Sequence, residues 1–542
     1  MTQFSDVIHY PAEEGVALAE LRQVLPKKWR PGYDSAHGCM EGTRLDILKY
    51  INDWAMDLHS EPLLWLHGLA GSGKSAIASS VCQQLDERGD GQQFLGASFF
   101  CKRDDKNLRD PALILPRITT ELANAFPVFG KAVAAALSKN PNLGTNTMIR
   151  QFQGLIKNPL LQLCCTRPAA PLVIVIDALD ESGTAGERRH LISILREMSG
   201  LVPWLKIVVT SRPDKDIRNS FAQPGHKFRQ VDLNKWNSSD DIHAYVKKRM
   251  GDVAANKGLA PNWPGDDKMQ RLAQRGTPLF VWVDVAATFI EAGMKPNERL
   301  DRVLASDFCG GEYMQLDALY TAAIEASFGS EGDNAEVFRD VVGIIVVASA
   351  YTPLPRPALE ALMRVPAGHS VIKDTIDGLG SVLYEDLNND SAIRLCHPSF
   401  MDFLTNPARC CPVRFRIDFL LQNARLASMC LNALIDGLKF NICDLESSHH
   451  FNADLTDLAD RVKRAIPDAL CYSSLHWTTH LAYVSREGQE RANVYDLLKA
   501  FFSSARPLYW LEVLSLLGEV KAAIAGLPLV VDWIQVRLFL FG

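Results

Sequence analysis

Hydrophobic runs alternate with amphipathic stretches over the first half of the chain. Runs rich in apolar residues occupy 63–66, 94–100, 172–176 and 205–209, with a weaker run at 227–233. Helical periodicity lies between them, at 44–58, 76–85 and 113–126. The run at 172–176 is unbroken and β-branched, which is typical of a parallel strand covered on both faces. Strands that alternate with helices predict a parallel sheet with helices on both of its faces.

Strand patterns fade after residue 238, where Ser238-Ser239-Asp240-Asp241 predicts the start of a helix. The remaining sequence is mainly helical, with amphipathic helices expected over 418–439 and 454–466. One exception is a pair of short apolar runs, 381–385 and 392–396, separated by a polar turn. Helical runs followed by such a hairpin suggest a winged helix.

The first apolar run leads into the sequence GLAGSGKS at 68–75, which fits the pattern GxxxxGK[ST]. Glycines allow such a loop to turn its amide N–H groups inward around phosphates, while Lys74 reaches the β- and γ-phosphates and Ser75 binds Mg²⁺. A glycine-rich turn without a ligand is the alternative. The residues expected to contact the nucleotide here are Gly68, Ala70, Gly71, Ser72, Gly73, Lys74, Ser75 and Ala76.

A second candidate site, which is acidic, follows the β-branched run. Asp177 stands at the carboxyl end of this run, and Asp180 and Glu181 follow it. Open α/β sheets bind their ligands at that end of the strands. Three neighbouring carboxylates repel one another unless a cation or a phosphate complex organises them. We therefore expect Asp177 to hold Mg²⁺, and Asp180 or Glu181 to orient or deprotonate an attacking water.

A third strand, at 205–209, runs into Thr210-Ser211-Arg212-Pro213. An arginine at the end of a core strand can contact a γ-phosphate through its planar set of donors. By itself this pattern is weak, and a surface arginine that caps the next helix is an equal alternative for Arg212.

Composition restricts the other function classes. The chain has 542 residues and a formal net charge of −6, so nothing in its charge favours nucleic acid or an anionic membrane as the main partner. Its 12 cysteines include two adjacent pairs but no CxxC spacing. This pattern predicts neither a zinc site nor a disulfide framework. Reduced cysteines are the expectation for a cytoplasmic protein. We expect no membrane span and no secretory signal.

The chain closely resembles the NACHT-type signal-transduction NTPases of the STAND class, in the form found among fungal NACHT and WD-repeat proteins. The matching segments, which extend over most of the chain, are GCMEGTR (38–44), GLAGSGKS (68–75), FLGASFF (94–100), VIDALDE (175–181), VVTSRP (208–213), LCHPSFMDFL (395–404), FNICDL (440–445), HWTTHL (476–481) and WLEVLS (510–515).

This resemblance implies an α/β P-loop NTPase domain followed by helical, winged-helix and further helical domains. The expected boundaries are 1–35 for a leader, 36–235 for the nucleotide-binding domain, 236–330 for the helical domain, 331–408 for the winged helix and 409–542 for the C-terminal helices. Together they would enclose ADP in a closed state, and exchange for a triphosphate would open the molecule and allow homo-oligomers to form.

The resemblance also implies roles for individual residues. Asp180, Glu181, Lys74 and Arg212 form the implied catalytic set, with Arg212 as the γ-phosphate sensor. His397 is expected against the β-phosphate of bound diphosphate, although a helix cap is the alternative. Pro278, in Gly276-Thr277-Pro278-Leu279, is expected to pack on the base, with a helix-start proline as the alternative, and Thr43 and Arg44 lie in the segment beside the adenine.

Members of this family usually carry an N-terminal effector domain and a C-terminal sensor array. We expect a truncated or alternatively terminated form that lacks the WD repeats. The leading hypothesis is a slow, switch-type ATPase or GTPase in fungal self/non-self recognition or defence signalling. The alternatives are a nucleotide-bound scaffold that does not hydrolyse and, by fold analogy alone, a DNA-binding regulator. The sequence identifies neither the base, nor the upstream ligand, nor the downstream effector.

Overall fold

The computed structural model describes residues 32–88, 92–163, 166–225, 227–305, 313–329, 334–366, 368–387, 390–410, 412–447, 449, 451–485 and 489–535. Nearly all of the predicted leader, the pair Cys164-Cys165 and part of the predicted turn at 388–390 lie outside these residues. The chain forms two compact units, Met1–Ala287 and Thr288–Gly542.

A five-stranded sheet forms the centre of the first unit. Its strands are β1 (Leu63–His67), β2 (Leu95–Phe100), β3 (Leu172–Asp177), β4 (Leu205–Ser211) and β5 (Arg229–Asp232). All neighbouring strands are parallel, and their order is β2-β3-β4-β1-β5. The five strands predicted from the hydrophobic runs are therefore confirmed, with the weakest run forming the short edge strand β5.

Helices connect these strands. They are α1 (Leu45–Met56), α2 (Lys74–Asp86), α3 (Ile114–Ala125), α4 (Pro127–Lys139), α5 (Met148–Gln151), α6 (Asn158–Gln162), α7 (Ala185–Ser199) and α8 (Lys215–Phe221), with a π-helical turn at Phe152–Lys157 between α5 and α6. Both faces of the sheet are covered, since α1 and α2 share one hydrophobic core with it and α3, α4 and α7 share the other.

The alternation of side chains along a strand explains why both cores are apolar. Val173 and Val175 of β3 belong to the core with α1 and α2, whereas Ile174 and Ile176 belong to the core with α3 and α7. Successive strand residues point to opposite faces, so a strand buried on both sides must be hydrophobic at every position. The prediction of a strand covered on both faces is confirmed.

The parallel arrangement brings the carboxyl ends of β1, β3 and β4 to one edge of the sheet. The central strand β4 lies between β1 and β3, with Leu66 opposite Thr210 and Ile176 opposite Val209. The loops that follow these three strands carry the predicted phosphate site, the acidic site and Arg212.

Three helices follow the sheet, namely α9 (Ser239–Lys257), α10 (Asp266–Gly276) and α11 (Phe280–Glu291). The helix start predicted at Ser238 is confirmed by α9. The division between the two compact units falls within α11. It lies inside the predicted domain at 236–330, and the domain boundaries remain predictions.

The second unit is mainly helical. Its helices are α12 (Pro296–Ala305), α13 (Met314–Phe328), α14 (Ala335–Ser349), α15 (Arg356–Leu362), α16 (Val371–Gly378), α17 (Pro398–Thr405), α18 (Phe419–Gly437), α19 (Leu458–Ala465), α20 (Asp468–Leu481), α21 (Gln489–Phe502), α22 (Arg506–Leu516) and α23 (Val520–Gln535). Among all the described helices, none is both long enough and apolar enough to cross a membrane.

The predicted hairpin forms between β6 (Leu383–Glu385) and β7 (Ile393–Leu395), which pair antiparallel. The helix expected over 418–439 is also present, as α18. The Asp418 carboxylate caps its first turn and so fixes where it begins. The helix expected over 454–466 is shorter, since residues Asn452–Asp454 form a 3₁₀ turn and α19 begins only at Leu458.

Candidate functional site

The loop between β1 and α2 has the backbone that its glycines predict. Gly71 and Gly73 adopt φ angles of +79° and +91°, which residues with a side chain rarely adopt. The Ser72 hydroxyl closes the loop by donating to the Leu69 carbonyl at 2.9 Å. Helix α2 begins at Lys74, so the loop lies at a helix N-terminus, where unbonded backbone N–H groups favour an anion.

Lys74 is buried within this loop. Its Nζ donates to the carbonyl oxygens of Gly68 at 3.0 Å and Leu69 at 2.7 Å. Burial lowers the pKa of Lys74, while the negative charge of Asp180 acts in the opposite direction. The ammonium group thus has a favourable site in the loop itself, within electrostatic reach of the acidic residues after β3.

Asp177 and Ser75 meet at the edge of the sheet. The Asp177 carboxylate ends β3, is 2% exposed and accepts a hydrogen bond from the hydroxyl of Thr210, and the side chain of Ser75 lies close enough to lower its pKa. Burial raises the pKa of Asp177, whereas the neighbouring Thr210 and Ser75 side chains and the charge of Lys74 lower it. The loop serine and the strand carboxylate, predicted separately from the sequence, are therefore in contact.

This pair of oxygen ligands fits Mg²⁺. Magnesium prefers oxygen donors and keeps several waters, so one or two protein ligands together with substrate phosphates suffice. No group of three or more His, Cys, Asp or Glu side chains suited to a metal occurs among the described residues. A hydroxyl and one carboxylate match a magnesium ion held jointly by protein and nucleotide better than an all-protein metal site.

Asp180 and Arg212 form an ion pair at the same edge. The chain leaves β3 through Ala178, at φ 52°, and enters the short 3₁₀ helix Leu179–Glu181 that carries Asp180. Asp180 Oδ1 accepts from the backbone N–H of Arg212 at 2.9 Å, and Oδ2 accepts from Arg212 Nε at 2.8 Å. Both predicted residues lie in the site, and each is bound to the other.

Glu181 occupies a different environment from its neighbour. Its Oε2 accepts from the backbone N–H of Arg103, in the loop after β2, at 3.1 Å. Burial, followed by the charge of Asp180, raises the pKa of Glu181 to about 7. A carboxylate that gains and loses its proton near neutral pH is suited to general-base chemistry.

Arg44 lies beside the phosphate loop, next to Thr43. Its Nη2 donates to the Ser72 carbonyl at 2.9 Å, and its own backbone N–H donates to Asp241 Oδ1 at 3.2 Å. The Thr43 hydroxyl donates to the Met40 carbonyl at 2.7 Å. The segment predicted to lie beside the base is therefore joined both to the loop and to the start of α9.

The segment after Pro278 also reaches the loop. Pro278 lies two residues before α11, and the N–H of Val281 donates to the Gly71 carbonyl at 3.3 Å. The ring of Phe280 lies beneath Arg44, and a Cβ added to Gly73 would be 3.7 Å from Phe280 Cδ2. Helix α11 thus begins directly against the phosphate loop.

Sequence reasoning missed four residues of this site, namely Arg103, Thr210, Asp241 and Phe280. Thr210 stands in the same TSRP segment as Arg212, and Phe280 follows the segment of Pro278, so both had a local pattern that pointed to them. Arg103 contributes a backbone N–H, which any residue type except proline would supply, and the sequence holds no pattern that identifies it.

His397 belongs to the second unit and caps α17. Its Nδ1 accepts from the backbone N–H of Ser399 at 3.1 Å and lies 2.6 Å from the Ser399 hydroxyl oxygen. The Ser399 hydroxyl also contacts the hydroxyl of buried Tyr320 at 2.8 Å. The capping alternative for His397 is therefore present, and its contact with a diphosphate remains a prediction.

One protein family matches the part of the chain that contains this site. Residues 42–212 match the protein family described as Nephrocystin 3, N-terminal. The matched range contains the phosphate loop, Asp177, Glu181 and Arg212. No curated protein matches the chain.

Several solved structures are similar over large parts of the chain. A Signal Transduction ATPase with Numerous Domains (STAND) protein with a tetratricopeptide repeat sensor, from Pyrococcus horikoshii, aligns with 94% of this chain and 69% of its own at 11% identity, with a TM-score of 0.37. A Walker-type ATPase of Pyrococcus abyssi aligns with 69% of this chain and 98% of its own at 14% identity, with a TM-score of 0.34. The ORC1 protein of Aeropyrum pernix, in complex with DNA, aligns with 70% and 94% at 12% identity, with a TM-score of 0.28. These TM-scores are too low to indicate the same overall arrangement.

The family match and the geometry of the loop lead to one conclusion. The chain contains a domain of the P-loop NTPase fold, whose residues 42–212 are similar to the Nephrocystin 3, N-terminal family, with its phosphate loop at 68–75 and its acidic strand end at Asp177.

Proposed function

We propose that this chain is a signal-transduction NTPase whose bound nucleotide controls domain opening and self-association. The nucleotide would be ADP or ATP, with GDP or GTP as the alternative. The observation that carries the proposal is the proximity of the Ser75 side chain, at the start of α2, to the Asp177 carboxylate, at the end of β3, whose pKa it lowers. A cytoplasmic location and a role in fungal self/non-self recognition or defence belong to the same proposal and rest on the resemblance of the motifs.

Nucleotide binding is assigned to the loop and the first turn of α2. The inward-facing N–H groups of this loop and the Lys74 ammonium would bind the phosphates, and Ser75 and Asp177 would hold Mg²⁺. When bound, the ion neutralises phosphate charge. Thr43, Arg44 and Pro278 would lie near the base, since Arg44 and the segment after Pro278 both contact the loop. His397 would contact the diphosphate in the closed state.

Hydrolysis is assigned to Glu181. A general base must accept a proton from the attacking water, and the raised pKa of Glu181, about 7, suits that step near neutral pH. Asp180 is less suited, because both of its oxygens accept N–H groups of Arg212. Arg212 would contact the γ-phosphate, where its positive charge stabilises the charge that develops during transfer.

The direct test is to identify the nucleotide that co-purifies with the full chain, and then to measure oligomeric size with Mg²⁺ and either the diphosphate or a non-hydrolysable triphosphate. We expect bound diphosphate after purification and a larger assembly with the triphosphate. Lys74→Ala should lose both nucleotides. Unchanged binding in Lys74→Ala would exclude this loop as the site.

A nucleotide-bound scaffold that does not hydrolyse is the second candidate. The observation that favours it is that Lys74 and Arg212 are both bound to protein groups, the former to loop carbonyls and the latter to Asp180. Triphosphate hydrolysis that disappears in Glu181→Gln, with binding retained, would exclude the scaffold. Binding without any turnover in the wild-type chain would favour it.

A further inference from the structure

The contact between Asp180 and Arg212 consists of two hydrogen bonds and is largely buried. The Asp180 side chain is 3% exposed and that of Arg212 is 17% exposed. One carboxylate oxygen binds the backbone N–H of Arg212 and the other binds its Nε. A carboxylate placed in this way determines both where the arginine backbone lies and in which direction its side chain leaves the strand.

The two residues before Arg212, Thr210 and Ser211, are also held in place by hydrogen bonds. Thr210 donates to Asp177 and accepts from the N–H of Ala178 at 3.0 Å. Ser211 accepts from Trp65 Nε1 at 2.8 Å and donates to the carbonyl of Arg212 at 2.9 Å. The backbone of Arg212 is therefore held through both its N–H and its carbonyl, and its side chain is held by Asp180 through Nε.

A second carboxylate competes for that side chain. Burial and the charge of Asp180 raise the pKa of Asp214, whereas the charge of Arg212 lowers it. Arg212 is therefore within electrostatic reach of Asp214, two residues further along the chain. Without the carboxylate of Asp180, the guanidinium would be drawn toward Asp214.

We propose that Asp180 is a positioning residue whose carboxylate directs the guanidinium of Arg212 toward the γ-phosphate and so sets the preference of the site for triphosphate over diphosphate. The inference rests on the proposed function, in which Arg212 contacts that phosphate. A guanidinium has five N–H donors in a rigid plane, so binding Asp180 through Nε leaves it able to contact a phosphate as well. Asp180 thus acts through Arg212, and Glu181 alone acts on the water.

The test uses the full chain and two probes, ADP and a non-hydrolysable ATP analogue, each with Mg²⁺, in equilibrium binding measurements. In Asp180→Asn we expect the triphosphate affinity to fall by about tenfold or more, while the ADP affinity changes less than about twofold. Arg212→Ala should give the same pattern, and the double variant should lose no more than either single variant. Such non-additivity is expected when two residues act as one unit.

Two further variants serve as a control and as an independent test. Asp216→Asn removes a different aspartate of the same segment, which pairs with Arg188 at 2.9 Å, and should leave the preference for triphosphate unchanged. Arg212→Lys retains the positive charge but lacks Nε, so it should lose the preference even though Asp180 is intact. It tests the inference independently if Asp180→Asn does not fold.

The outcomes separate this inference from the proposed function. If the wild-type chain binds neither probe, the proposed function fails. If the wild-type chain prefers the triphosphate and Asp180→Asn retains that preference, or if Arg212→Lys retains it, Asp180 does not position Arg212 and the inference is overturned. The matched loss in Asp180→Asn and Arg212→Ala, with ADP binding intact, supports it.

Discussion

The guanidinium of Arg44 lies over the ring of Phe280, with its Cζ 4.9 Å from the ring centre. Arg44 also donates to the Ser72 carbonyl, and the residue after Phe280 donates to the Gly71 carbonyl. Arg44 and the first turn of α11 thus contact each other, and both bind carbonyls of the phosphate loop. The start of α11 therefore contacts the phosphate loop directly, which gives bound nucleotide a route to influence the position of this helix.

Removal of the Phe280 ring should speed nucleotide release. A cation–π contact contributes about 0.5–2 kcal/mol, so Phe280→Ala should raise the dissociation rate of a fluorescent nucleotide by about 2-fold to 30-fold. Stopped-flow displacement measures this rate. Phe94→Ala is the matched control, because Phe94 lies under Arg88 at 5.4 Å in another part of the same unit. Equal rates in Phe280→Ala and Phe94→Ala would exclude a role for this contact in nucleotide retention.

Hydrolysis should depend on pH through Glu181. The pKa of Glu181 is about 7, and only the deprotonated carboxylate accepts a proton from water. The kcat/KM for triphosphate should therefore rise with pH and be about tenfold lower at pH 6 than on the plateau above pH 8.

The control for this profile is Glu181→Gln, which has no proton to lose and should show low activity without the rise near pH 7. A wild-type profile that is flat between pH 6 and pH 8 would rule out Glu181 as the base.

The sequence predicted the sheet and most of the site because each part has a local pattern. The run before Asp177 must be apolar at every position in a strand covered on both faces, and the glycines of the loop must adopt backbone angles that other residues avoid. Parallel topology then places Asp177 and Ser75 at one edge. The pairing of Asp180 with Arg212 was not predictable, because it depends on how the chain turns at Ala178 and on the register of two strands.

The left-handed backbone of Gly73 should be required for nucleotide binding. An alanine at φ +91° is strained by about 1–2 kcal/mol, whereas its Cβ would meet Phe280 only at ordinary contact distance. Gly73→Ala should therefore weaken ADP binding by about 5-fold to 30-fold through backbone distortion, as measured by titration calorimetry.

Gly258 provides a matched control, since it has φ +64° at the end of α9 and a Cβ there would meet nothing within 4 Å. Gly258→Ala should lower the melting temperature to a similar extent but leave ADP affinity unchanged. Comparable affinity loss in both variants would mean that general destabilisation, and not the loop, is responsible.

The second unit should lose stability in acid because of His480. This buried side chain contacts Asn423 Oδ1 through Nδ1 at 2.8 Å and the Tyr472 hydroxyl through Nε2 at 2.9 Å. Burial lowers the pKa of His480 well below its usual value, so the folded chain holds it neutral while the unfolded chain binds a proton below about pH 6.5. Stability is therefore fully present above about pH 6.5 and falls as the pH decreases below it.

Urea denaturation at pH 7.5 and pH 5.5 measures this effect through tryptophan fluorescence. His480→Gln should be less stable at pH 7.5, and its loss of stability between the two pH values should be smaller than that of the wild type. His59→Gln, at an exposed position, should retain the full difference. An unchanged difference in His480→Gln would show that other groups cause the acid sensitivity.

The proposed nucleotide site requires Ser75 and Asp177 to hold one magnesium ion together with the nucleotide phosphates. The most direct measurement is the affinity of the full chain for a non-hydrolysable triphosphate with Mg²⁺ and with excess chelator, in the wild type and in Asp177→Asn. We expect Mg²⁺ to strengthen wild-type binding by about tenfold or more, and Asp177→Asn to bind equally weakly in both conditions. Wild-type affinity that does not depend on Mg²⁺, or an undiminished magnesium effect in Asp177→Asn, would contradict a magnesium site formed by these two residues.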